Sequence, residues 1–212
     1  MLFFILSILM YSTQAQPSAT DTARALQEKY DRVKDFTADF THVYAGGVLK
    51  KKASESGTVQ IRKPGMMRWD YTAPDKKEFV SDGHKMYSYV PADKQVIISS
   101  LPSDDQATTA VLFLAGKGNL TRDFNVSYAD NADPDTIALR LDPRHQQRDY
   151  DWLVLVVDRH SMQIRGLTAA DQQGGRSTFT FTNYHENTGI SDKVFEFKIP
   201  RGADVIHADS AR

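Results

Sequence analysis

The chain has no cysteine among its 212 residues. That excludes a disulfide framework, a thiolate nucleophile, a cysteine metal ligand and any lipid-modified cysteine. It also lacks an excess of one charge, with 26 basic against 27 acidic side chains. A general nucleic-acid binder draws its affinity from neutralised phosphates and shows a basic surplus, so no nucleic-acid partner is expected. The six histidines form no HExxH or closely spaced ligand set. "AGGVLKK" and "LAGKGN" lack phosphate-loop spacing, and there is no GxSxG elbow. The carboxylates of "SLPSDDQA" and "DNADPD" sit among turn residues, where solvation and local backbone bonding account for them. No catalytic residue, cofactor or metal is expected, and the chain reads as a non-enzyme.

Long apolar runs are scarce too. The main one, "MLFFILSILM", opens the chain and is too short for a comfortable membrane anchor. Small and polar residues follow, with Thr13 and Ala15 at the spacing of a signal-peptidase site, although a basic leader is missing. Residues 1–15 are therefore expected to be a secretory signal and 16–212 a single exported domain.

With 41% apolar residues, what remains can bury a real core. Ala19, Ala23, Leu26, Tyr30 and Val33 recur at helical spacing and predict an amphipathic helix. The period then changes to two. Phe36, Ala38, Phe40, His42 and Tyr44 alternate with polar residues on a first strand. "YAGGVLKKKASES" reads as a loop, followed by the short strands "SGTVQIR", "MMRWDY", "KKEFVS", "KMYSYV" and "QVIISS". Asp82-Gly83 and the Pro91–Asp93 turn mark hairpins, so this part is an antiparallel meander. Ala107–Ala115 predicts a short apolar helix ended by Gly116 and Gly118. Strands resume at "RDFNVSY" and run to "RSTFTFTNYH" and "KVFEFKIP".

About eleven strands against two helices predict a sheet that curls or closes, because open sheets of that size seldom stay flat. Two short helices cannot plug such a barrel. Either a cavity remains or a second sheet folds over the first. His42 falls on the apolar face, where a core or cavity-lining histidine is a plainer reading than a general base lacking a positioned partner. In "RKPGMMRWDY", Met67, Trp69 and Tyr71 share one strand face, while Met66, Arg68 and Asp70 share the other. Methionine suits variable apolar partners, which makes a lipid-lined cavity an alternative to a dry core.

A longer pattern carries a resemblance. Gly57, Val59, Ile61, Arg62, Lys63, Pro64, Arg68, Trp69, Tyr71 and Pro74 fall in the order G-x-[VL]-x-[IV]-[RK]-[RK]-P-x-x-x-R-W-x-Y-x-x-P. "VSDGHKMYSYVPADKQV" follows, and "VKDFTADFTH", "FTFTNY" and "FEFKIPRGADVI" add to it. Over about residues 19–206 the chain resembles the periplasmic outer-membrane lipoprotein carrier family, LolA. The resemblance implies a mainly β fold, an incomplete antiparallel barrel of about eleven strands with a helical lid over a hydrophobic cavity. It implies a monomeric periplasmic chaperone taking triacylated lipoproteins from an inner-membrane ABC transporter to an outer-membrane acceptor, where one exists. Cavity-lining roles are expected for Phe36, Phe40, Met67, Trp69, Tyr87, Phe179 and Phe181, and lid roles for Leu112, Phe113 and Leu114. The family's latch arginine precedes the proline; here Lys63 stands there, after Arg62. Lysine lacks the planar multi-donor fork, so both are latch candidates. The alternatives are a periplasmic lipid-binding or lipid-sensing protein on the same fold. A barrel-scaffold enzyme or glycan-binding protein would need convergent polar groups that the sequence does not display.

Overall fold

The computed structural model describes residues 17–46, 51–101, 113–116, 118–147 and 149–208. The expected signal, most of the predicted Ala107–Ala115 helix and Leu112 lie outside the described residues. Ser18 is extended, and its hydroxyl accepts the amide of Asp21 at 3.1 Å, so helix α1 (Ala19–Asp31) begins at a proper cap. Its stripe of Ala23, Leu26 and Tyr30 is buried, as the helical spacing requires.

Six strands follow as a meander: β1 (Asp35–Gly46), β2 (Lys51–Arg62), β3 (Met66–Ala73), β4 (Lys77–Asp82), β5 (Lys85–Val90) and β6 (Gln95–Ser100). The short helix α2 (Leu120–Asp123) leads into β7 (Phe124–Tyr128), β8 (Thr136–Pro143), β9 (Trp152–Asp158), β10 (Ile164–Ala170) and β11 (Gly175–Glu186). A 3-10 turn at Asp192–Phe195 precedes β12 (Asp204–His207). All twelve strands form one sheet in the order β12-β6-β5-β4-β3-β2-β1-β11-β10-β9-β8-β7. The two meanders join where β1 pairs antiparallel with β11, and β12 adds parallel to β6. Among the described residues the ends of the order, β7 and β12, do not pair with each other, so the barrel they form is open. It is also curled. Trp69 on β3 and Phe179 on β11 have two strands between them, about 14 Å in a flat sheet, yet their rings meet at 5.3 Å.

Two local expectations are corrected. The predicted loop before "SGTVQIR" is strand from Lys51 onward, because Lys52, Ser54 and Glu55 pair with Ala45, Val43 and His42. The segment "KVFEFKIP" is a 3-10 turn and extended chain rather than a strand. Its alternating Phe195 and Phe197 pack onto the outer sheet face, with Phe195 buried and Phe197 stacked on Tyr87 at 5.1 Å. Alternation there reflects a ribbon lying across a sheet, not one paired at its edge.

Candidate functional site

Register separates the two faces of the first meander. Directly paired residues share a face, so Trp69, Phe79, Ser88 and Ile97 form one concave row that β12 extends with Ile206. A second concave row holds Met67, Ser81, Met86 and Ser99. Between them lies an open apolar pocket of about 330 Å³, walled by Met67, Trp69, Tyr71, Phe79, Met86 and Ile97, with Phe179 reaching over from β11. The first row is a ramp from the core to the rim. Trp69 is 3% exposed, Phe79 and Ile97 are each 38% exposed, and Ile206 is 44% exposed.

The concave side of the second meander is already filled. Leu139, Leu141, Leu153, Leu155 and Leu167 are buried in one cluster with Ala23, Leu26 and Tyr30 of α1. Thr22 and Tyr128 share a 2.7 Å hydrogen bond, and Gln27 accepts the Leu120 amide at 2.9 Å, holding α1 across that half.

Of the seven expected wall residues, Met67, Trp69 and Phe179 line the pocket. Phe36, Phe40 and Phe181 share their concave face but are buried beneath it. Phe36 stacks on Tyr184 at 4.7 Å, and Phe40 packs between Trp69 and Tyr71 at 5.0 and 4.8 Å. Tyr87 borders the pocket, but it pairs with Val80 and Ile98 on the convex face, and its ring stacks on Phe197. Its contribution to the wall is therefore main chain. Phe79, Met86 and Ile97 supply side chains that sequence reasoning missed. The two aromatics Tyr87 and Tyr89 drew attention to the wrong parity of β5, whereas extending the Trp69 face through the Asp82-Gly83 hairpin selects Met86 and Ser88.

Phe113 stacks on Tyr30 at 5.5 Å, and the Tyr30 hydroxyl donates to the Leu114 carbonyl at 2.5 Å. Lys63 joins the same assembly. Its ammonium donates to the Tyr30 carbonyl and lies 4.0 Å from the centre of the Tyr30 ring. Its stem crosses Gly116, where an added Cβ would come within 2.7 Å of Lys63 Cδ, and Gly116 has φ +81. Burial pushes the Lys63 pKa down, against the pull of Asp31 and Glu186. Two residues on, the Gly65 amide donates to the Ala115 carbonyl at 2.8 Å. Arg62 points elsewhere, to the Ile190 carbonyl at 2.5 Å and Asp192 at 2.8 Å, so it fastens the C-terminal segment. A cleft of about 400 Å³ beside Lys63 has a mixed lining, with Gln27, Asp31 and Lys34 beside Tyr30, Val33, Pro64 and Phe113.

Polar groups on the concave face gather at His42, Glu55 and Lys77. His42 Nδ1 lies 3.3 Å from Glu55 Oε2, and Lys77 pairs with the other carboxylate oxygen. Among the described residues no cluster suits a metal, and no helix is long and apolar enough to cross a membrane.

The sequence model described as outer membrane lipoprotein carrier protein LolA matches residues 31–198. An outer-membrane lipoprotein carrier protein of Chromohalobacter salexigens is 29% identical over 198 residues, covering 93% of this chain and 91% of its own. One from Hahella chejuensis is 28% identical over 205 residues, covering 95% of this chain and 96% of its own. An uncharacterised conserved protein from Thermus thermophilus shares the fold, with TM-score 0.55 and 12% identity over 88% of this chain and 98% of that one. The matching sequence model spans most of the chain and the pattern from Gly57 to Pro74. The chain belongs to the LolA family of outer-membrane lipoprotein carriers, which act in the periplasm and are not enzymes.

Proposed function

We propose that this chain is a periplasmic chaperone that carries acylated lipoproteins from the inner to the outer membrane, with acyl chains held on the uncovered concave half. The observation that carries this reading is the apolar pocket whose wall rises along Trp69, Phe79 and Ile97 to an exposed rim. Transfer of acyl methylenes into water costs about 0.8 kcal/mol each, so a chain of ~15 of them costs on the order of 12 kcal/mol. A carrier must cover most of that surface and still release it.

At about 330 Å³ the pocket is near the lower end of the ~300–1,000 Å³ that small-ligand sites span. Three acyl chains need more room. The 113–116 segment, tied by Lys63 and Tyr30, is the lid whose displacement supplies it. A lid that competes with cargo for the same apolar surface keeps binding tight yet reversible. Lys63 takes the latch role by this reading, and Arg62 does not. The same reading includes cleavage after Ala15, a single domain over 16–212, loading by an inner-membrane ABC transporter and delivery to an outer-membrane acceptor.

Purification from the native periplasm followed by mass spectrometry of bound material tests this. Co-purifying triacylated proteins are expected. Free lipids alone would replace carriage with lipid sensing, and an empty protein that also refuses acylated peptides in vitro would overturn both.

A further inference from the structure

Three buried polar atoms on the concave face have no hydrogen-bond partner among the described residues: His42 Nε2, Trp69 Nε1 and the Tyr184 hydroxyl. Buried polar atoms are usually paired, and each exception asks for a reason. Tyr184 belongs to the floor, stacked on Phe36. The other two converge on one wall ring. His42 lies face to face on Phe179 at 4.2 Å, and Trp69 meets the same ring edge-on at 5.3 Å. Both Phe179 and Trp69 line the pocket.

The chemistry of the two atoms is fixed by their neighbours. An ionised carboxylate only accepts hydrogen bonds, so Glu55 draws the imidazole proton to His42 Nδ1. Burial pushes the His42 pKa below its ordinary value, against the pull of Glu55, and the ring stays neutral near pH 7. Burial raises the Glu55 pKa, but its bonds to Lys77 and His42 outweigh this and keep the carboxylate charged. His42 Nε2 is therefore a bare acceptor. Trp69 Nε1–H can only donate. An acceptor and a donor thus lie against one phenyl ring of the pocket wall, Trp69 within the lining and His42 stacked on Phe179 just outside it, on the side away from Ser88 and Ser99 of β5 and β6. A secondary amide offers the complementary pair, N–H and C=O, whereas an ester offers acceptors alone.

We propose that His42 and Trp69 form a polar subsite for the secondary amide of an N-acylated cargo, with His42 Nε2 accepting its N–H and Trp69 Nε1 donating to its carbonyl. The proposal rests on the carrier reading and narrows it to amide-linked over ester-linked acyl chains. Glu55 is a positioning residue that sets the tautomer, and Lys77 holds Glu55.

The test uses the purified chain, stripped of lipid, and displacement of a pocket-bound apolar fluorophore by two probes of equal chain length, N-methylhexadecanamide and methyl hexadecanoate. The ester carbonyl can also accept from Trp69, so the probes differ by the single bond to His42, which corresponds to roughly a fivefold preference for the amide. His42→Phe, which keeps the stacking and removes the acceptor, is expected to reduce that ratio to about one. A second readout needs no variant. Protonation turns Nε2 into a donor, so the ratio should fall as pH drops below about 6.5, where both probes stay uncharged. The titratable groups acting on His42 are Glu55 from β2 and Lys77 from β4, and Tyr71 from β3 stands next to both of them with its phenol kept protonated by burial. From β11 the Phe179 ring stacks on His42. Equal displacement by both probes would overturn the subsite and leave the carrier reading standing. So would an amide preference indifferent to His42→Phe and to pH. Displacement by neither probe would overturn both.

Discussion

The two halves of the sheet solve opposite problems. Under β7–β11 the concave face is dry, with Leu139, Leu153, Leu155 and Leu167 packed against α1, while Trp152, Val154 and Val156 on the convex face are only half-buried. Guanidinium groups of Arg140 and Arg176 lie over Trp152 at 4.6 and 5.4 Å in place of a covering layer. Under β3–β6 the arrangement is reversed. The convex face is covered by the C-terminal segment, burying Val80, Val96, Ile98 and Phe195, and the concave face is left as a pocket. Among the described residues, each half is covered on one side only. A half-barrel can thus stay folded while one apolar wall is left uncovered by the described residues, because β4–β6 draw their stability from the opposite, covered face.

This contrast can be broken at several points. The largest effect is expected at the convex cover, where Phe195→Ala should cost about 3–5 kcal/mol in a denaturant titration. Leu155→Ala, in the filled half, should cost about 2–5 kcal/mol by the same measurement. Lys63→Met removes a charge-assisted hydrogen bond to the Tyr30 carbonyl and the contact with its ring. It should cost about 1.5–3 kcal/mol and speed the uptake of an apolar fluorophore, with Lys63→Arg restoring the slower uptake. Ile97→Ser at the rim should move stability by less than about 1 kcal/mol yet weaken that uptake several-fold.

Acidification gives the smallest effect. The folded pKa of His42 is lowered, so the unfolded chain binds its proton more readily, and stability falls as pH drops below about 6.5. Glu55 is also lowered, so its contribution is present above its unfolded value and is lost as pH falls through the folded one. Both erode stability on the acid side. His42→Gln should remove the upper step in a plot of Tm against pH and leave the lower one.

Much of this organisation was legible in the residues. Periods of 3.6 and two, Asp82-Gly83 and the Gly57–Pro74 pattern were enough for the helix, the meander and the family. Gly57 shows why the pattern begins where it does, since a Cβ there would lie 2.0 Å from the Asp70 carbonyl oxygen. Legibility ended where one alternation has two meanings. Tyr87 and Tyr89 look like lining but serve the convex face, and Phe195 and Phe197 look like a strand but are their cover. Local periodicity says that a side is apolar; only register says which body it meets. The pairing of Lys63 with Tyr30 was equally hidden, because it joins residues 33 positions apart through a main-chain carbonyl.

The free concave wall is tested most directly by photocrosslinking in cells, with a photoreactive phenylalanine analogue replacing Phe79 or Ile97 on the pocket wall, or Val154 or Val156 on the bare convex face. Crosslinks to acylated lipoproteins are expected from Phe79 and Ile97 and not from Val154 and Val156. Equal crosslinking from both faces, or crosslinking from the convex face alone, would contradict a cargo site on the uncovered half.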